Sequence, residues 1–217
     1  MADSHGASGI TVNETRLEAR SLHCRRGGRD LFRNVEFSLG AGDFLFVKGE
    51  NGCGKTTLLR ALCGLTRPAA GAVLWRGQPI AAYDAFVGAL LYIGHREAVK
   101  DELTPLENLE VHGGLRGESH TEHAREQALS RVGLAGYEDI PVRYLSQGQR
   151  RRCALARLVL SQATLWILDE PYNALDRGAV GWLSGLVREH LGRGGMVVAT
   201  SHQPIEDVGD TRVLELG

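Results

Sequence analysis

The sequence predicts an α/β fold: a parallel-sheet core, a small antiparallel sheet and an inserted helical segment. Three observations point to it. Four short apolar runs, "FLFV" (44–47), "LLYI" (90–93), "LWIL" (165–168) and "MVVA" (196–199), have the continuous character of strands covered on both faces. A glycine-rich loop, "GENGCGKT" (49–56), leads from the first run into a helix-forming stretch. Between the second and third runs the pattern turns helical and carries capping signals.

The elements follow in order. "MADSHGASGI" (1–10) lacks the basic-then-apolar pattern of a signal peptide and reads as a frayed polar tail. "TRLEARSLHC" and "LFRNVEFSL" alternate apolar and polar residues and suit antiparallel strands. "GAVLWRGQPI" (71–80) adds to that sheet. In "TTLLRALCG", Leu58, Leu59 and Leu62 form one apolar helix face. "TPLE" (104–107) supplies Thr104 as N-cap, Pro105 at N1 and Glu107 at N3, a capping box. "TEHAREQALSRVG" (121–133) has a threonine cap and a glycine stop. "LSQGQRRRCALAR" (145–157) opens a further helix, with Ser146 as N-cap and Gln149 at N3. Arg150, Arg151 and Arg152 crowd its electropositive end, where an acidic residue would be favourable by ~0.3–1 kcal/mol. They call for an anion or for local partners.

Bulk properties narrow the function classes. The chain has 217 residues, fitting one domain, and 43% apolar residues, enough for a core. Its 25 Lys and Arg balance 26 Asp and Glu, so no basic nucleic-acid surface is indicated. Cys24, Cys53, Cys63 and Cys153 show no CxxC pairing and read as free thiols of a reducing compartment. No run approaches the ~18 apolar residues of a membrane span. A cytoplasmic protein is expected, with any membrane role exercised through a partner.

"GENGCGKT" matches G-x-x-x-x-G-K-[ST] in full, and it sits between a strand and a helix, the context this motif requires. Backbone N–H groups around Gly52 and Gly54 wrap phosphate oxygens, and the helix end adds positive potential. Lys55 reaches the β- and γ-phosphates, and Thr56 supplies an oxygen to Mg²⁺. Other polar candidates follow the remaining apolar runs: His95, Asp169 with Glu170, and His202. Open α/β sheets bind ligands at the carboxyl ends of their strands, so all would meet over one nucleotide. Asp169 is then the Mg²⁺-side carboxylate, and Glu170 the group that polarises the attacking water.

These residues carry a resemblance. "LSQGQ" is similar to the LSGGQ signature loop of ATP-binding cassette (ABC) ATPases, and the whole set stands in that family's order. The P-loop lies at 49–56, the signature at 145–149, "LWILDE" at 165–170, a D-loop-like "NALD" at 173–176, and His202 at the switch position. The resemblance spans nearly the whole chain. It implies one ABC nucleotide-binding domain over 1–217, with a RecA-like core and antiparallel sheet at about 11–94 and 163–217. A helical subdomain carrying the signature would occupy about 95–162. It also implies that ATP with Mg²⁺ is bound by Gly49, Glu50, Asn51, Gly52, Cys53, Gly54, Lys55, Thr56 and Thr57. Lys55, Glu170 and His202 would be catalytic, Thr56 and Asp169 would hold Mg²⁺, and Asp176 would be the D-loop aspartate. Two domains of this family dimerise head to tail. Ser146, Gln147, Gly148 and Gln149 would therefore meet ATP held by a second copy, where positive charge becomes useful once that triphosphate arrives; at least one of the three arginines is expected instead to be solvated or paired with nearby carboxylates, since consecutive residues cannot share one helix face.

Longer stretches, "LLYIGHREAVKDELTPLENL" above all, resemble the haem-exporter ATP-binding subunits of cytochrome c maturation. That resemblance implies a homodimer attached to integral membrane subunits at the cytoplasmic face of the inner membrane, with no nucleic-acid partner. Three positions depart from the broad family pattern. His95 stands where most members carry the Q-loop glutamine, Gln147 replaces the first signature glycine, and no aromatic residue is in place to stack on adenine. Arg26 stands near that place, and a guanidinium plane can stack on a base. Cys53, inside the P-loop, predicts that thiol modification blocks ATP binding. A soluble ABC ATPase of iron–sulfur cluster assembly, or a transporter subunit for another small substrate, shares every nucleotide motif. DNA-associated relatives place a long heptad-bearing coiled coil between P-loop and signature, which this chain lacks. No Cys-Pro haem motif is present, so the chain alone is expected not to bind haem.

Overall fold

The computed structural model describes residues 16–82, 85–201 and 208–217. Strands β1 (Leu17–Arg26) and β2 (Arg29–Leu39) form a hairpin, followed by β3 (Phe44–Gly49) and helix α1 (Lys55–Leu62). β4 (Ala70–Trp75) and β5 (Gln78–Pro79) precede a short α2 (Ala85–Ala89) and β6 (Leu90–Ile93). Helices α3 (Pro105–Leu115), α4 (Glu122–Arg131) and α5 (Gln147–Leu160) come next. β7 (Leu165–Leu168), α6 (Arg177–Gly192), β8 (Met196–Thr200) and β9 (Thr211–Leu216) complete the order.

Two sheets result. One is antiparallel, in the order β2-β1-β4-β5, as the alternating patterns predict. The other has the order β6-β7-β8-β3-β9, and every neighbouring pair in it is parallel. Its first four strands coincide with the four apolar runs. β9 was not expected. It pairs with β3 at the sheet edge and is largely exposed, so "TRVLEL" never shows the apolar continuity that marks the others.

The apolar runs are continuous because each face of the parallel sheet meets a different layer. Leu45, Val47, Leu165, Ile167, Met196 and Val198 point to the antiparallel sheet and to α1, whose Leu58, Leu59 and Leu62 are fully buried between the two sheets. Phe44, Phe46, Trp166, Leu168, Val197 and Ala199 point the other way, onto Leu183, Leu186 and Val187 of α6 and Leu155 and Leu158 of α5. A third cluster joins α3, α4 and α5 through Leu109, Ala128, Leu129, Cys153 and Ala156. α5 thus shows one face to the sheet and another to the helical layer. Burying each leucine on the sheet side is worth ~1.5–3 kcal/mol. Among the described residues no helix is long and apolar enough to cross a membrane.

The helix starts behave as their sequences predict. Thr104 Oγ1 accepts from Glu107 N–H at 3.2 Å while the Glu107 carboxylate accepts from Thr104 N–H at 2.8 Å. Thr121 caps α4 through Ala124 N–H at 3.2 Å, and Gly133 follows its end with φ 73°. Ser146 and Gln149 close the second box, at 3.3 and 2.9 Å. Such caps are each worth ~1 kcal/mol.

One buried titratable group joins α6 to β7. The His190 ring stacks on Trp166 with centroids 3.7 Å apart and planes 6° apart. His190 is buried, and a Cβ at Gly195 would come within 2.3 Å of its imidazole, so position 195 must be glycine. Burial pushes the His190 pKa down to about 4 from 6.5. The folded ring stays neutral where the unfolded one would take a proton. Its stabilising contribution is complete above pH 6.5 and is lost as pH falls from there through 4. Urea unfolding of the full chain between pH 7 and 4 should show a loss of about 1–3 kcal/mol that His190→Asn flattens.

Candidate active site

The parallel register sets the carboxyl ends of four strands side by side. Ile93 pairs with Leu168, Leu168 with Ala199, and Val47 with Thr200. The residues just beyond, His95, Asp169 and Glu170, face the loop that follows β3. A cavity of about 360 Å³ opens there, lined by Arg26, Leu31, Asn51, Gly52, Gly54, Lys55, Thr56, Thr57, His95, Asp169 and Glu170.

The loop is shaped by glycines. Gly49 has φ 151°, and a Cβ there would strike the Leu216 carbonyl at 2.4 Å and the Cys53 sulfur at 2.5 Å. β9, the strand that sequence reasoning missed, is therefore part of what requires glycine at this position. Gly54 has φ 112° and caps α1 with no side-chain hydrogen bond, and the first turn of α1 holds no acidic residue. The N–H groups at that helix end are therefore available to an anion. Lys55 Nζ donates to the carbonyls of Gly49 at 2.6 Å and Glu50 at 3.1 Å, which holds the ammonium over the loop. Cys53 differs from its neighbours. It is absent from the cavity lining, and its sulfur lies beside Gly49 against the core.

The acidic pair is held by hydroxyls and by left-handed backbone. Asp169 is 2% exposed, and its two carboxylate oxygens accept from Thr56 Oγ1 and Thr200 Oγ1, both at 2.9 Å. Thr200 Oγ1 also accepts from Glu170 N–H at 2.9 Å. Sequence reasoning missed Thr200; a buried polar residue closing an apolar strand was the available signal. Glu170 adopts φ 52°, a conformation that costs of order 1–3 kcal/mol for a residue with a Cβ. Its carbonyl accepts from Arg151 Nη2 at 2.8 Å and from Asn173 N–H at 3.2 Å.

The signature residues lie elsewhere. Ser146 and Gln147 are exposed, Gly148 and Gln149 are half-buried, and none of the four lines the cavity. Ser146 Oγ accepts a cap bond, which leaves its O–H free to donate. A Cβ at Gly148 would come within 3.0 Å of the Ala174 carbonyl. Asp176 caps α6 through Ala179 N–H at 2.8 Å. His202 lies outside the described residues.

All three arginines at the start of α5 find partners inside the chain. Arg150 pairs with Asp101 at 2.9 Å and donates to the Leu145 and Arg143 carbonyls. Arg152 donates to Gly133 O at 3.3 Å. Arg151 is buried and donates to the carbonyls of Gly94, Asp169, Glu170 and Pro171. Carbonyl dipoles, converging where β6 and β7 end, offset the opposing helix dipole.

A phosphate loop after a parallel strand, a hydroxyl–carboxylate pair beneath it and an outlying capped helix define a nucleotide-binding ATPase cassette. The ABC transporter family model matches residues 32–173, and the chain belongs to that family. It is 51% identical over 203 residues to the cytochrome c biogenesis ATP-binding export protein CcmA of Dechloromonas aromatica, covering 93% of this chain and 100% of the relative. It is 49% identical to the protein of the same name from Escherichia coli K12, covering 91% and 93%. Among solved structures, a dimeric ATP-binding cassette bound to ADP and phosphate superposes with a TM-score of 0.81 at 21% identity, covering 92% and 94%. The fold is thus that of ABC nucleotide-binding domains, and the chain is an ATPase of this type.

Replacing Thr200 with valine keeps the shape and removes the hydroxyl that joins Asp169 to Glu170. Denaturant unfolding should show a loss of ~1–3 kcal/mol from the polar groups left unpaired. Steady-state ATPase assays should show turnover lower by about tenfold.

Proposed function

We propose that two copies of this chain hydrolyse MgATP head to tail, each supplying the signature that completes the other's site. One observation carries the reading. A single chain gathers the phosphate loop and both carboxylates around one cavity, yet holds Ser146 to Gln149 outside it. In this reading the RecA-like core with its antiparallel sheet spans about 11–94 and 163–217, and the signature-bearing subdomain about 95–162.

Loop N–H groups from Gly49 to Thr57 and the Lys55 ammonium bind the phosphates. Glu50 and Cys53 contribute through the main chain: Glu50 O accepts from Lys55, and the Cys53 thiol lies against the core. Modification of that thiol would therefore act by displacing the loop. Arg26 and Leu31 line the end of the cavity that would receive the base. The residues fit Mg²⁺: Thr56 and Asp169 place a hydroxyl and a carboxylate oxygen 2.9 Å apart, the hard donors this ion takes alongside phosphate and water. Held there, Mg²⁺ would supply charge neutralisation for phosphoryl transfer. Glu170, held by its left-handed turn, orients and polarises the attacking water. His202 serves as the switch histidine, and His95, which lines the cavity, stands at the Q-loop position. From the second copy, Ser146 O–H and the N–H groups of Gly148 and Gln149 approach the γ-phosphate, and Gln147 fills the variable signature position. Asp176 anchors the D-loop at the dimer seam.

The relatives at 51% and 49% identity support the biological assignment. In this proposal the chain drives integral membrane subunits from the cytoplasmic face of the cell membrane, serving haem export or handling in c-type cytochrome biogenesis. Glu170→Gln should trap ATP, favour the dimer and lower turnover by at least ~100-fold. Pull-down with that variant should recover membrane subunits, and unimpaired hydrolysis would remove Glu170 from its role. Titrating haem into the isolated chain should give no stoichiometric absorbance change, because the chain has no Cys-Pro haem motif.

A further inference from the structure

We propose that Arg151 is a positioning residue for hydrolysis: from the signature helix it holds the turn that aims Glu170 and the segment that carries His95. The proposal rests on the reading that Glu170 polarises the attacking water. Arg151 is 3% exposed. Among the described residues, its hydrogen bonds run to main-chain carbonyls: Gly94 at 3.2 Å, Asp169 at 3.1 Å, Glu170 at 2.8 Å and Pro171 at 3.4 Å.

The geometry explains why a cation is buried at a helix end that disfavours one. β7 stops at Leu168, so the carbonyls of residues 169–171 leave the sheet ladder and converge in the interior. Glu170 holds φ 52° with its own carbonyl and N–H both engaged, and such strain persists where the surroundings over-determine it. Thr200 Oγ1 takes the N–H, and Arg151 and Asn173 take the carbonyl. A planar guanidinium carries five donors in a fixed fork, against three on an ammonium and two on an amide, and so can span carbonyls on two strand ends at once. The fourth carbonyl, Gly94 O, directly precedes His95.

Its neighbours do not do this. Arg150 and Arg152 find their partners among residues 101–145, within the helical layer. Arg151 crosses to the parallel sheet. It sits one turn from Ser146 and Gly148 on the same helix, so a shift of the signature end toward a second copy's nucleotide is passed through one rigid fork to Glu170 and His95. Arg157, further along α5, holds the far side of the same segment through Glu97 O at 3.1 Å.

The test compares Arg151→Met, Arg151→Lys and, as a control, Arg152→Met in the full chain, measuring kcat and KM for ATP hydrolysis and the Kd for MgATP. Arg151→Met should lower kcat by about tenfold or more while KM and Kd stay within about threefold, the pattern of an interaction used only in the transition state. Arg151→Lys should recover part of kcat, and Arg152→Met should stay within about twofold. If Arg151→Met does not fold, Arg151→Gln, which keeps one donor group, is measured in its place with the same expectation. Unchanged kcat would overturn the proposal. So would kcat and nucleotide affinity falling together with no recovery by lysine, since that is general loss of structure. Glu170→Gln is assayed alongside. Full turnover there defeats the reading of Glu170, whereas loss there with full turnover in Arg151→Met defeats the inference about Arg151 alone.

Discussion

The Asp169 carboxylate is the constraint around which the site is assembled. A carboxylate 2% exposed is tolerable only when its lone pairs are met. Thr56 and Thr200 meet them, and in doing so tie α1 and β8 to the end of β7. Thr200 uses the same oxygen to take the N–H of Glu170. One buried acid therefore ties the start of α1, the end of β8 and the entry to the left-handed turn to one point. The hydroxyl and carboxylate oxygens stand 2.9 Å apart beside the cavity, held by the chain's own contacts. That preorganisation is what phosphoryl transfer asks of a protein.

A second theme is how the helical layer is fastened. Apolar packing supplies part of it, through Leu155 and Leu158. The directional part comes from arginines that donate to main-chain carbonyls. Arg116 reaches Leu90 O at 2.7 Å and Gly88 O at 3.2 Å. Arg157 reaches Glu97 O and the His112 ring, and Arg151 reaches the β6 and β7 ends. Apolar contacts tolerate sliding, whereas forks on fixed carbonyls do not. The junction between layers is thus sharply defined where it passes the cavity.

Much was legible because it is local. The four apolar runs had to be strands covered on both faces, and the glycine-rich loop had to end in a helix. Thr104, Thr121 and Ser146 announced helix starts that their own hydrogen bonds now complete. β9 was not legible, because an exposed edge strand has no need of apolar continuity. Nor was the role of Arg151. Three successive arginines look alike in a sequence, and only their angular placement on α5 separates the one that faces the sheet from the two that stay in the helical layer.

The sequence alone determined the four buried strands and the capped helix starts, and that a phosphate loop and a strand-end acid pair would share one edge of a parallel sheet. These follow from periodicity and from motifs whose parts are neighbours in the chain. Tertiary structure decided that Thr200 joins Asp169 to Glu170, that Leu216 and Cys53 require glycine at 49, and that Arg151 spans signature helix, acid turn and His95 segment. Those are contacts between residues distant in sequence, and no local rule encodes which side chain a given turn will bring within 3 Å of another.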